Sequence, residues 1–251
     1  MDTLKFIAFK ATDEPELCDE FLREHRKVLE DFGISNVTTN TVTWTTDPDT
    51  YVIVAISKEQ GMVGGIRVEV DREGKNLPIK EALIKLDPKI QMTLEQLRFA
   101  GNAEVCGLWN ANRYASHGLP TLLSFAAVSL ANQIGLKSMV CLVAHYTLRH
   151  ALKAGFTIME HLGAGGTFTY PIPSIKAIAM VIPDVITLDA ATEPFRNQLI
   201  SLRIRPEREV IEILNGKPTR LCYHLRMQGV PIDMWAYRSI EEDRSYFAET
   251  A

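Results

Sequence analysis

The sequence has only four cysteines, Cys18, Cys106, Cys141 and Cys222, widely spaced and with no CxxC or CxxH pair. This spacing excludes the common zinc-binding patterns and a disulfide-dense secreted scaffold, so reduced, mostly buried thiols and no bound metal are expected. No apolar run approaches the roughly 18 residues that a membrane-spanning helix needs, so no span is expected. The start, MDTLKFIAFKATDEPE, has no basic segment followed by a sustained apolar one, and the expected compartment is the cytoplasm. Positive charge is not in excess: 27 Lys and Arg stand against 31 Asp and Glu, a net charge of -4. A broad phosphate footprint, and with it nucleic acid as the main partner, is therefore not expected. Internal repeats and low-complexity blocks are also missing.

With 46% hydrophobic and 23% charged residues over 251 positions, the chain has the composition of a soluble globular protein. Its length allows one large domain, or one domain with a substantial appendage. Residues 5–10 read as a strand and 13–32 as a helix closed by Gly33, with acidic residues early and basic ones later. Residues 35–50 are polar and Thr-rich, with Trp44 among β-branched residues; they read as a short strand or as loop. The runs 51–57 and 62–70, on either side of Glu59-Gln60-Gly61, read as a hairpin. Short helices follow from Pro78 and around 94–97, then a strand over 103–109. A polar loop, 111–118, leads into a helix over 120–134 capped by Gly135. Residues 138–144 form a buried strand, 147–154 a short helix closed by Gly155, 157–161 the start of a strand, and 175–182 another.

This order predicts a mixed α/β fold, a central sheet flanked by helices, over residues 1–183. Residues 184–251 are read as a C-terminal extension: a helix over 192–202, then two β-prone runs, 209–214 and 219–227, joined by Asn215-Gly216 as a hairpin.

The strand–loop–helix corner at Gly118 is the most legible candidate site. It places several backbone N–H groups at a helix N-terminus, where hydrogen bonds and the helix dipole favour an anion; the same corner also serves as a plain connection. Glu104 has the chemistry of a general base for an attacking amine, or is a strand Glu facing solvent. His145 and Tyr146, just after a strand, have that of base or acid, whereas His150 on the next helix reads as a surface residue. Arg67 presents a planar fork to an acceptor carboxylate, or snorkels at a sheet edge. Trp109 lines a cleft or belongs to the core. Cys106 has no sequence neighbour that lowers its pKa and is read as core.

The run EVCGLWNANRYASHGLP, Glu104 to Pro120, resembles the fourth strand and pyrophosphate loop of GNAT-type N-acyltransferases, and Ala154-Gly155-Phe156 is similar to their late Gly-Phe turn. The order of elements agrees over residues 1–182. In that family the fourth and fifth strands splay apart, and the donor's pantetheine arm lies against backbone in the gap. The resemblance assigns the arm to Leu108, Trp109 and Asn110, and the phosphates to Ser116, His117, Gly118 and Leu119. The pattern departs at Ala115 and Pro120, which open and close the loop, and at Ala151, where a Tyr is common. Pro120 has no N–H to donate.

Gly64-Gly65-Ile66-Arg67, Leu77-Pro78 and Glu104 are similar to the layout of acyl-homoserine-lactone and long-chain N-acyl amino acid synthases, although the Arg often found three residues after that Glu is Gly107 here. Those relatives take acyl groups from acyl carrier protein, through an arm with a single phosphate. The resemblance implies an acyltransferase that moves an acyl group from acyl-CoA or acyl carrier protein to a small-molecule amine by direct attack, with no permanently bound cofactor. A binding module for the same donors that has lost turnover is the alternative.

Overall fold

The computed structural model describes residues 1–34, 38 and 41–227. Ten strands make one mixed sheet: β1 (Asp2–Lys10), β2 (Thr50–Ser57), β3 (Gly61–Val70), β4 (Asn102–Asn110), β5 (Ser138–Ala144), β6 (Thr157–Ile158), β7 (Thr167–Thr169), β8 (Lys176–Ile182), β9 (Glu207–Leu214) and β10 (Lys217–His224). The spatial order is β6-β8-β5-β4-β3-β2-β1-β10-β9, with β7 also on β8. The expected β2–β3 hairpin forms, turning at Gly61 with φ +69°. β4 and β5 run parallel, which requires the crossover helix α4 (Leu119–Ser129) between them.

Helices cover both faces. α4 packs on one face with α5 (Leu148–Lys153) and α6 (Glu193–Ile204), burying Leu122, Leu123, Ala126 and Leu130 against Phe6, Ile53, Val68 and Val105. α4 is apolar nearly all round because α6 covers the side turned away from the sheet; Phe125 and Phe195 meet with ring centroids 5.8 Å apart. The opposite face carries α1 (Pro15–Asp31), whose Phe21 and Leu22 pack on Val52, Val54 and Trp109. Farther along, α2 (Pro78–Leu83) and α3 (Lys89–Arg98) bury Ile79, Leu83, Ile90 and Leu94 against Val140 and Ala179.

Several local expectations change. Within 35–50, the described part contains a 3₁₀ turn over Thr43–Thr46 rather than a strand, because Trp44 is drawn into the α1 cluster. The helix expected over 120–134 ends at Ser129 and tightens into a 3₁₀ turn. The strand begun at Thr157 lasts two residues, and β7, which was not expected, pairs with β8 nearby. Beyond residue 183, β9 and β10 form the hairpin across Asn215 and Gly216, both at positive φ. β10 also pairs with β1 in parallel, Asp2 beside Thr219, so these strands continue the sheet. Residues 228–251 of the extension lie outside the described residues. No helix among the described residues is long and apolar enough to cross a membrane.

Gly65 is the contact point between α1 and the sheet. A Cβ there would lie 3.0 Å from Trp109 Nε1 and closer still to the Phe21 ring. Gly65→Ala is expected to lower stability by about 1–3 kcal/mol, as overpacking of a filled core does, read from the denaturant midpoint. An unchanged midpoint would mean that α1 does not sit on this glycine.

Candidate active site

β4 and β5 share only three rungs, Asn102–Ser138, Ala103–Met139 and Glu104–Val140. Beyond Glu104 the strands part. β5 continues to Ala144 on β8, β4 continues to Asn110 on β3, and from Val105 to Asn110 the β5-facing edge of β4 has no strand partner among the described residues. The cause is a bulge. Gly65 faces Trp109 and Arg67 faces Cys106, so β4 spends three steps where β3 spends two. Gly107, at φ +60°, takes up the extra residue and bends the strand away from β5. The bulge also resets the alternation, so Cys106 and Trp109 both turn to the α1 face.

Arg67 is completely buried on this face. Its guanidinium lies 2.9 Å from Glu69 and 3.7 Å from Cys106 Sγ, and 4.4 Å from the centroid of the Trp44 ring. It is therefore not a sheet-edge arginine, and the carboxylate that its fork meets is Glu69. A Cβ on Gly107 would fall 2.9 Å from Arg67 Nη1, so a side chain at 107 and this guanidinium compete for one space. Cys106 donates to Glu69 at 3.4 Å. Burial, reinforced by Glu69, holds its thiol well above the usual range, which keeps it protonated and un-nucleophilic.

Glu104 stands at the last shared rung, where the gap opens, directly opposite Glu69 on β3. It is 1% exposed and does not face solvent. Oε2 accepts the Ile79 N–H at 2.7 Å. Burial pushes its carboxyl well above the normal range; the Ile79 hydrogen bond opposes this and Glu69 adds to it. Nearby, burial and then Arg67 depress His25 to about 3, leaving it a neutral ring. Its Nδ1, Trp44 Nε1 and Trp109 Nε1 are buried without hydrogen-bond partners among the described residues.

The loop after β4 contains two left-handed residues, Ser116 at φ +65° and Gly118 at φ +71°. A non-glycine residue held there signals a backbone fixed by its surroundings. The space a Gly118 side chain would fill is open, and the amides of Ser116, Gly118 and Leu119 meet no backbone acceptor among the described residues. The His117 ring lies tilted against Tyr114 with centroids 5.0 Å apart, and its Nδ1 lies 2.8 Å from the Ala115 carbonyl.

His150 is not a surface residue: it is 9% exposed, with Nδ1 2.7 Å from Thr121 Oγ1. Arg149 Nε donates to its Nε2 at 3.3 Å, and burial, Arg149 and Lys153 all lower its pKa. A neutral ring accepting at Nε2 carries its proton on Nδ1 and donates it to Thr121. The Thr121 hydroxyl proton is then free to point elsewhere, one residue after the Pro120 that cannot donate. The sequence gives no sign of this pairing, because residues 121 and 150 are brought together only by the packing of α4 on α5. Glu69, Phe21, His25 and Trp44 were likewise missed; the Phe21–His25 spacing of one helical turn was the available signal.

Not every expected residue gathers here. His145 follows β5 five residues beyond Val140, about 16 Å from the Glu104 rung at the strand rise. It is exposed at the mouth of the gap beside Tyr146, whose ring stacks with Phe32 at a centroid distance of 6.1 Å. Phe32, at the end of α1, thus reaches across from the β3–β4 side. Tyr170 OH makes a second tie, accepting the Thr38 N–H at 3.0 Å and donating to its Oγ1 at 3.1 Å. Leu108 packs toward α4, and the Trp109 indole is buried against Phe21 at 5.7 Å. Asn110 donates its side-chain amide to the Ala111 carbonyl at 3.1 Å. What β4 offers the gap is therefore chiefly backbone.

No protein-family model matches the chain, and no curated protein does. Among solved structures it is similar to FeeM, an N-acyl amino acid synthase from uncultured soil microbes, with a TM-score of 0.59 and 16% identity, over 76% of this chain and 95% of that one. It is also similar to TofI, solved in a ternary complex with an inhibitor and MTA, with a TM-score of 0.51 and 13% identity, over 76% of this chain and 99% of that one. The chain has a GNAT-type fold. Within the GNAT-type fold, the expected central mixed sheet flanked by helices is the architecture observed, and the bulge at Gly107 gives the parting of β4 and β5 its local cause.

The Glu104 carboxyl makes a testable link between pH and stability. Its unfolded value is near 4.5 and its folded value is raised, so between the two the native state holds a proton that the unfolded chain has released. The stabilising contribution is present below the unfolded value and is lost as pH rises through the folded one. Glu104→Gln is therefore expected to melt higher than the wild type at pH 8, with the difference vanishing below about pH 4. A gap independent of pH would show that folding leaves the Glu104 carboxyl at its unfolded value.

Proposed function

We propose that the chain transfers an acyl group from a pantetheine thioester to the amine of a small-molecule acceptor by direct attack. The observation that carries this reading is the edge of β4 that lacks a strand partner among the described residues, opening at a buried carboxyl with a raised pKa and running toward a turn with three amides that meet no backbone acceptor among those residues. An extended pantetheine arm carries amides suited to such an edge, and its phosphate is suited to such a turn. Acyl-CoA and acyl carrier protein share this arm, and either serves as donor. Ser116, Gly118 and Leu119 hold the phosphate through their amides; the Thr121 hydroxyl, oriented by His150, replaces the donor that Pro120 lacks. His117 borders this turn, and Leu108, Trp109 and Asn110 lie beside the arm mainly through backbone.

In the transfer, the amine nitrogen bonds to the thioester carbonyl carbon, the C–S bond breaks, and the sulfur leaves as a thiol after taking the proton that the bonded nitrogen releases as the amide forms. β4 amides stabilise the carbonyl oxygen as it gains charge. Glu104, in its ionised form, accepts the proton that the attacking ammonium must lose; burial raises its basicity toward that of the amine. Arg67 acts through Glu69, fixing the carboxylate opposite Glu104, instead of meeting the acceptor itself. His145 and Tyr146 border the entrance. Cys106 forms no acyl-enzyme, since its thiol stays protonated. The name of FeeM, an N-acyl amino acid synthase, supports an amine acceptor.

Thiol release from a medium-chain acyl-CoA or acyl carrier protein, measured across a panel of amines, tests the reading. Release that requires an amine is expected; tight donor binding with no release would leave a binding module. Glu104→Gln is expected to lower kcat by about 10²-fold or more with donor affinity unchanged. An unaltered rate would remove Glu104 from the chemistry.

Gly118→Ala provides the second test. Its Cβ would meet no protein atom within 4 Å, so beyond the backbone strain, which costs roughly 1–2 kcal/mol, it obstructs only what occupies the open turn. Donor Kd is expected to rise at least about tenfold, a change of about 1.4 kcal/mol. Retained affinity with a lowered melting temperature would make the turn a plain connection.

A further inference from the structure

β9 ends the sheet, and its outer edge has no partner strand among the described residues. The strand, Glu-Arg-Glu-Val-Ile-Glu-Ile-Leu over Glu207–Leu214, has no proline, no lysine and no register shift against β10, so its edge is guarded by charged side chains alone, Glu207, Arg208, Glu209 and Glu212. Its outward residues Ile211 and Ile213 are 63% and 68% exposed. On the other face of the strand, Arg208 and Glu212 flank Val210. Glu212 is half-buried and accepts a 3.4 Å hydrogen bond from Gln198; burial raises its carboxyl and Arg208, four residues away, is the cation that opposes the rise.

From this edge we infer that two copies of the chain associate through β9, pairing antiparallel about a two-fold axis at Val210. Such an axis perpendicular to the sheet keeps each face of the strand on its own side, so even positions oppose even positions. With Val210 opposite the partner's Val210, Arg208 falls opposite the partner's Glu212, and Glu212 opposite the partner's Arg208. Each opposed pair joins a half-buried carboxylate to a cation, which favours this register. Centring on Ile211 instead would set Arg208 against an apolar side chain and leave Glu212 opposite Val210. In the Val210 register each Ile211 stands opposite the partner's Glu209, and the two Ile211 side chains are diagonal neighbours across the junction. The inference is independent of the proposed chemistry, and its test reads association alone.

Sedimentation velocity of the full chain is expected to show a dimer at about 100 µM, a hundredfold above a micromolar Kd. Arg208→Glu places like charges opposite each other twice and is expected to weaken the dimer by about tenfold or more. Arg208→Glu combined with Glu212→Arg restores opposite charges within the same register and is expected to recover the dimer. Val210→Cys, a variant that leaves the charges alone, is expected to cross-link copy to copy under diamide, since the two Cβ atoms face each other across the axis. A wild-type monomer at that concentration, a dimer indifferent to Arg208→Glu, no recovery in the double variant of a folded protein, or no cross-link at Val210→Cys would each overturn the inference. A monomer would leave the edge to residues 228–251 or to a different partner.

Discussion

A guanidinium buried in the middle of a sheet constrains everything around it. Arg67 has no water to lean on, so the protein surrounds it with the Glu69 carboxylate, the Cys106 sulfur and the face of Trp44. Breaking such a pair by removing one partner costs about 3–5 kcal/mol, because a charge is then stranded. The guanidinium also fills the volume above residue 107, so that residue has to be glycine. Glycine in turn permits the left-handed bulge, and the bulge turns β4 from β5. The gap that the site depends on therefore traces back to one buried cation and the residue that makes room for it.

The two faces of the sheet divide the work. The α4 face is apolar and close-packed, and it fixes where the α4 N-terminus and its turn stand. The α1 face carries the row Arg67, Glu69, Glu104 and Cys106 between two apolar clusters, one under α1 and one under α2 and α3. Low dielectric there raises Glu104 and Cys106 and lowers His25. A rigid apolar side sets the position of backbone donors, while a polar side tunes proton affinities.

Much of this was legible in the sequence where the signal is local. Apolar runs containing β-branched residues mark β2, β3, β5 and β8, the apolar length of α4 marks a buried helix, and Gly118 ahead of Pro120 marks the turn. What could not be read depends on partners distant in sequence. Glu104 looks like an ordinary strand residue until Ile79 and the α2–α3 layer cover it. His150 looks exposed until Thr121 meets it. Arg67 alternates with apolar neighbours in the manner of an edge arginine, and only the sheet order shows that its strand is central, with four strands on either side. The splay is the intermediate case: its strands are visible in the sequence, but its cause is a backbone angle at one glycine.

The parallel pairing of β1 with β10 bears on how the molecule is made. Asp2 is synthesised before its partner Thr219, and the two are separated by nearly all the described chain. Until β10 is made, β1 has β2 on one side and a bare edge on the other, so the sheet cannot be completed before then. Contacts of such separation are slow to form, because the loop between them must be ordered first. An unfinished edge is also the species most open to mispairing with other nascent chains. The environment of β1 is thus settled only when β10, distant in sequence, arrives beside it.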